Sequence, residues 1–214
     1  MKKVLLLLAV FIAVMAPSFA APALCTNVTL NQLLAGGIYA AEGCQVSDKI
    51  FSGFAYSGDV AATNIAVAFQ ANGPIPAGAT IQFTPNNGTN WAALTNLSFN
   101  TRIDTTLCPT CVFVSVLDQI FTPPTPNSNS GTFSHPGGVP ANLNVSGSSP
   151  ATLSAQSALP GSLTTINTTF TQTGGSTLQS LSSSFNQNNV PEPSTFALLG
   201  GGLVAFALYR RKRA

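Results

Sequence analysis

The chain has 214 residues but only eight Lys/Arg, six Asp/Glu and one His, for a formal net charge of +2. Charged residues make up 7% of it, against about 25% in ordinary soluble domains, which excludes charge-driven disorder and a nucleic-acid partner held by a basic patch. Hydrophobic residues at 45%, with 18 Gly and 15 Pro among many Ser, Thr and Asn, indicate a chain able to bury a core and built from strands and turns.

The first element is an export signal over residues 1–20. Lys2 and Lys3 precede the apolar run Val4–Ala16, and Ser18-Phe19-Ala20 supplies small residues before a cleavage point after Ala20. Thirteen apolar residues are too few for the roughly 20 of a spanning helix. The expected partner here is the Sec export machinery. Residues 21–188 then form the exported domain. Its charged residues are Lys49, Arg102, Glu42, Asp48, Asp59, Asp104 and Asp118, net −3, so most of the basic charge lies at the ends.

Within that domain the pattern predicts a helical turn over Thr29–Leu34, with Leu30, Leu33 and Leu34 on one face and Gly36 or Gly37 ending it. Strands follow over 50–56, 63–70, 79–84, 93–103 and 111–121. Alternation is visible in Ile65, Val67 and Phe69, and again in Val112, Val114 and Val116. Phe121–Pro140, with five Pro, reads as the longest loop. Weaker strands are predicted over 139–145, 151–156, 163–172 and 178–185. Short strands punctuated by Asn-Gly and Gly-Gly turns predict an all-β, jelly-roll-like β-sandwich.

Four cysteines, Cys25, Cys44, Cys108 and Cys111, are an even set in an exported chain and predict disulfides. Local loops favour Cys25–Cys44 and Cys108–Cys111. A redox role for Cys108-Pro109-Thr110-Cys111 needs a helix N-terminus after the first Cys, whereas Val112–Val116 is strand sequence. The Cys25 to Cys44 spacing is not that of a zinc finger, and no metal or cofactor is expected. His135, in Ser134-His135-Pro136-Gly137-Gly138, reads as an exposed loop residue, and no Gly-x-Ser-x-Gly elbow accompanies it. The acids Asp48, Asp59, Asp104 and Asp118 are dispersed. Trp91 with Tyr39 and Tyr56 is the aromatic set available to a sugar-binding face. No catalytic residue is assigned and no enzymatic activity is expected.

The C-terminus carries three elements in order. Pro191-Glu192-Pro193 interrupts regular structure, Phe196–Tyr209 is an uncharged run suited to a short transmembrane helix, and Arg210, Arg211, Lys212 and Arg213 form a basic stop. The basic cluster fixes the tail inside and the bulk of the chain outside. Residues 189–214 thus resemble a PEP-CTERM sorting signal. The resemblance covers about a tenth of the chain and implies processing by exosortase, a membrane-embedded enzyme of Gram-negative bacteria that make exopolysaccharide. It implies a transient inner-membrane anchor, then the cell surface or extracellular space, with a structural or binding role in the exopolysaccharide layer. The alternatives are a carbohydrate-binding or adhesive module and a secreted hydrolase with a dispersed site.

Overall fold

The computed structural model describes residues 22–39, 42–75, 78–86, 88–122, 128–148, 152–174 and 177–189. The signal peptide at 1–20 and, from residue 190 onward, the sorting segment with Phe196–Tyr209 and Arg210–Arg213 lie outside them. Among the described residues no helix is long and apolar enough to cross a membrane.

The described residues form thirteen strands: β1 (Ala23–Leu24), β2 (Val28–Thr29), β3 (Cys44–Val46), β4 (Lys49–Gly58), β5 (Ile65–Ala71), β6 (Ala79–Pro85), β7 (Leu94–Ile103), β8 (Cys111–Phe121), β9 (Ser128–Ser134), β10 (Asn142–Ser148), β11 (Thr152–Leu163), β12 (Thr165–Gly174) and β13 (Ser180–Asn189). They form one sheet of order β1-β3-β4-β7-β12-β9-β10 and a second of order β11-β8-β13-β6-β5-β2. Successive strands cross repeatedly between the sheets, giving the expected β-sandwich. The single-turn helix α1 (Leu30–Leu33) falls where the leucines predict it, with Leu30 and Leu33 buried. The Gln32 side chain reaches back to the Thr29 backbone N–H at 3.0 Å, which supplies a partner to an amide at the helix start.

Alternation explains the core. β6 is buried at every second residue, so Ala79, Ile81 and Phe83 face inward while Thr80, Gln82 and Thr84 do not. Phe51 and Phe99 of the first sheet meet Phe83 and Phe185 of the second, with ring centroids 5.7–6.2 Å apart. Each such ring stabilises the sandwich by about 1.5–3 kcal/mol through burial.

Three expectations for the strands need correction. The run Val112, Val114, Val116 does not share one face. A bulge at Val114, where Asn186 pairs with Ser115 and Gln187 with Phe113, shifts the phase of β8. Cys111 and Phe113 point inward before it, and Val116, Asp118 and Ile120 after it. The predicted Phe121–Pro140 loop contains β9. Its prolines sit outside the strand, and Ser128–Ser134 pairs with β10 on one side and β12 on the other. Its Ser/Asn/Gly composition gives little intrinsic strand signal, and pairing on both edges supplies what propensity lacks. β11 also runs well beyond the predicted 151–156.

Cys25 and Cys44 are joined at 2.04 Å with a dihedral of 92°, tying the N-terminal segment to β3. Cys25→Ser is expected to lower stability by about 3 kcal/mol, the chain-entropy value for a loop of this size, measured as a shift in the urea unfolding midpoint.

Candidate functional site

Among the described residues, two buried polar clusters each span both sheets. The first begins at the β3–β4 hairpin. Val46 pairs with Lys49, leaving a two-residue turn of Ser47 and Asp48, with Ser47 at φ 55°. A positive φ at the first turn position matches the twist of the flanking strands. The turn is braced from outside: Gln45 Nε2 donates to Ser47 O at 2.9 Å and to Asp104 Oδ2 at 3.1 Å, and the Asp104 amide donates to Asp48 O at 2.7 Å. Asp104 also accepts the hydroxyl and amide of Thr106, and the hydroxyl is the main cause that holds its carboxyl below the usual aspartate range.

This bracing directs Asp48 and Lys49 into the interior, where both are fully buried. Lys49 Nζ lies 2.5 Å from Asp48 Oδ1. The other carboxylate oxygen, Oδ2, accepts Gln187 Nε2 from β13 at 2.5 Å. Burial pushes the Lys49 ammonium below the usual lysine range, opposed by its hydrogen bond to Asp48 and the charge there. Gln187 Nε2 also approaches Cys111 Sγ at 3.7 Å, while Gln187 Oε1 is buried without a hydrogen-bond partner among the described residues. Cys108 and Cys111 lie beside Asp48 and are bonded to each other, so among the described residues no free cysteine exists there to hold a metal.

The second cluster corrects the expectation of an exposed histidine. His135 is fully buried. Because β9 runs into the supposed loop, it delivers His135 at the inner side of the first sheet. The Pro-Gly-Gly that follows turns the chain tightly, with the Gly138 amide on His135 O at 2.9 Å and Gly137 at φ 91°. A side chain at Gly138 would collide with Ser157 Oγ, at 2.4 Å from the Cβ it would carry. His135 Nε2 lies 2.5 Å from Asp118 Oδ2 of β8, and Ser183 of β13 donates to Asp118 Oδ1 at 2.6 Å. Thr168 Oγ1 of β12 lies 3.3 Å from His135 Nδ1.

Hydroxyl, imidazole and carboxylate thus stand in the order of a nucleophilic relay. Access decides against that use in this arrangement: Thr168 is 1% exposed and its partners 0%, so no substrate reaches the hydroxyl. Ser183 bonds the acid rather than the imidazole. The cluster pins β8 and β13 to β12 across the core. Sequence reading missed Thr168, Ser183 and Gln187, which sit in Ser/Thr/Asn-rich strands where one hydroxyl looks like another. The available signal was Asp118 itself, two residues from Val116 and from Ile120 on an inward face, where a charge must find partners.

The remaining candidates are placed apart. Asp59 Oδ2 accepts the Ala92 amide at 2.9 Å. Trp91 is fully buried, and its Nε1 donates to Tyr56 Oη at 3.1 Å, while Tyr56 donates to Val60 O at 2.6 Å. Burial is the main cause raising the Tyr56 phenol above its usual range. Tyr39 is half-buried near Thr26, with 3.4 Å between the two hydroxyl oxygens. Trp91 therefore belongs to the core and builds no exposed aromatic face.

These features define an all-β, two-sheet sandwich with His135, Lys49, Asp48 and Asp118 sequestered in its core. Residues 189–213 match the model of the PEP-CTERM protein-sorting motif. The chain accordingly carries a PEP-CTERM sorting signal, the mark of an exported protein that exosortase sorts. No curated protein matches the chain. Among solved structures it is similar to TmCBM61 in complex with β-1,4-galactotriose, at 12% identity and TM-score 0.31, covering 64% of this chain and 88% of that one. It is also similar to TmCBM27, a carbohydrate-binding module described for mannan recognition, at 6% identity and TM-score 0.33, covering 80% and 100%. A third is the CBM22-1 xylan-binding domain from Paenibacillus barcinonensis Xyn10C, at 13% identity and TM-score 0.27, covering 81% and 99%. Similarity at that level assigns no ligand to this chain.

Proposed function

We propose that the protein is held transiently in the inner membrane by its C-terminal segment. Exosortase then processes it near Pro191-Glu192-Pro193, and the domain serves a non-enzymatic, structural role in the exopolysaccharide layer at the cell surface or outside the cell. The observation that carries this reading is the sorting motif at 189–213. Two properties of the domain support the second half. Its histidine, its lysine and two of its aspartates are fully buried, which removes them from contact with a substrate. Its exposed strand faces carry uncharged cross-strand pairs such as Asn167 with Asn100 and Thr132 with Asn144, each at 2.9 Å. Hydroxyl and amide ladders of this kind stabilise a sheet and offer a polysaccharide hydrogen-bonding groups without fixed charge.

Replacing Pro191, Glu192 and Pro193 together by alanine is expected to leave the protein in the inner-membrane fraction with its basic tail attached. Fractionation with terminal sequencing, in hosts with and without exosortase, reads this directly. A triple variant released and trimmed like the parent would refute the sorting step.

A further inference from the structure

Lys49, Asp48 and Gln187 hold more chemistry than an ion pair requires. The amine of Lys49 and the carboxamide of Gln187 contact the two oxygens of one carboxylate, each at 2.5 Å, inside the core. The amine belongs to β4 of one sheet and the amide to β13 of the other. We propose that Lys49 and Gln187 become joined by an amide bond across the sandwich, with Asp48 as the proton carrier.

The step balances without a co-reactant. The lone pair of neutral Lys49 Nζ adds to Gln187 Cδ, forming the new C–N bond. Asp48 takes at Oδ1 the proton that Nζ loses, and the carboxylic acid so formed passes a proton to Nε2. The Cδ–Nε2 bond breaks and ammonia leaves. Nothing is oxidised or reduced, and the product differs from the unreacted chain by the mass of one ammonia.

Three features of the cluster favour this outcome. The amine and the carboxamide are both held on one carboxylate, which lowers the entropic cost of bringing them together. Burial lowers the pKa of Lys49 and so increases its neutral, nucleophilic fraction. Exclusion of water from the core denies the intermediate a competing hydrolysis. The braced Ser47-Asp48 turn fixes the carrier, and the inward phase of β13 brings Gln187 to it. An exported domain stapled in this way would have its two sheets tied covalently.

The test is peptide mapping by mass spectrometry on the full-chain product recovered after export, reduced and alkylated before chymotryptic digestion. The expected result is one species joining the Lys49 peptide to the Gln187 peptide, lighter by one ammonia than their sum. Ammonia loss found only within unlinked peptides, as at Asn72-Gly73 or Asn87-Gly88, overturns the proposal, and so does wild-type protein with intact disulfides and no linked species. Asp48→Asn removes the carrier and is expected to slow linking by about 10²–10⁴-fold, the usual yield of general acid–base catalysis. Its fold is checked by the Cys25–Cys44 disulfide and β-type circular dichroism. Linking as fast as in the parent overturns the role of Asp48. In Lys49→Met the linked species must vanish, and its persistence would place the bond elsewhere.

Discussion

Asp118→Ala is expected to lower the stability of the domain by about 2–6 kcal/mol, because it leaves two buried polar groups without their partner at about 1–3 kcal/mol each. A domain of this kind has about 5–15 kcal/mol in total, so the variant stands at the edge of folding. The reason is the bond count at the carboxylate. His135 Nε2 and the Ser183 hydroxyl both lose their partner at once, in a core where both residues are fully buried. Each orphaned polar group adds its own desolvation penalty. Asp118→Asn keeps the shape and one acceptor, and is expected to lose less. The measurement is urea unfolding followed by Trp91 fluorescence, extended to a double-mutant cycle with His135→Ala. The double variant should lose clearly less than the sum of the singles, because it no longer buries a histidine without its acid. A loss below about 1 kcal/mol for Asp118→Ala would mean that the pair is wet and contributes as surface pairs do.

That experiment bears on what the sequence made legible. The sandwich was readable because β6 throughout and β7 from Leu97 to Ile103 alternate strictly over seven residues, and burial of one sheet face enforces it. The helical turn was readable because three leucines and a glycine pair mark its face and its end. β8 misled because a bulge changes phase in mid-strand, and bulges depend on the partner strand, which lies far away in sequence. β9 was hidden for a related reason: its stability comes from two neighbours rather than from its own residues. Both polar clusters depend on contacts of that kind. Asp118 and His135 are 17 residues apart, but Asp118 and Ser183 are separated by 65 and Asp48 and Gln187 by 139. Local spacing holds no record of such meetings. A charge on an inward position of a strand does indicate that some meeting must occur, and Asp118 carried that signal unread. The sorting motif was legible in full because it is linear: Pro-Glu-Pro, an apolar run and a basic stop in sequence order.

The second large effect is expected at Trp91. Trp91→Ala removes the largest buried side chain, and truncation of a core Trp or Phe costs about 3–5 kcal/mol through lost transfer energy and the cavity left behind. The site has little freedom to collapse, since the Trp91 backbone exchanges both hydrogen bonds with Leu178, at 3.0 and 2.8 Å, on the far side of the molecule's sequence. Trp91→Phe keeps a six-membered aromatic ring in the site and deletes the Nε1 donor to Tyr56 Oη with the rest of the indole, so its cost is expected below that of Ala, at about 1–3 kcal/mol. The comparison also decides a functional question. If Trp91 were a sugar-stacking residue, Phe would preserve stability while weakening retention on exopolysaccharide. For a core residue the order is reversed: stability falls in proportion to what is removed, and folded Trp91→Phe protein partitions into an exopolysaccharide gel as the parent does. Measuring unfolding midpoint and gel partition on the same preparation separates the two cases. Weakened partition with an unchanged midpoint would move Trp91 from the core to a binding face.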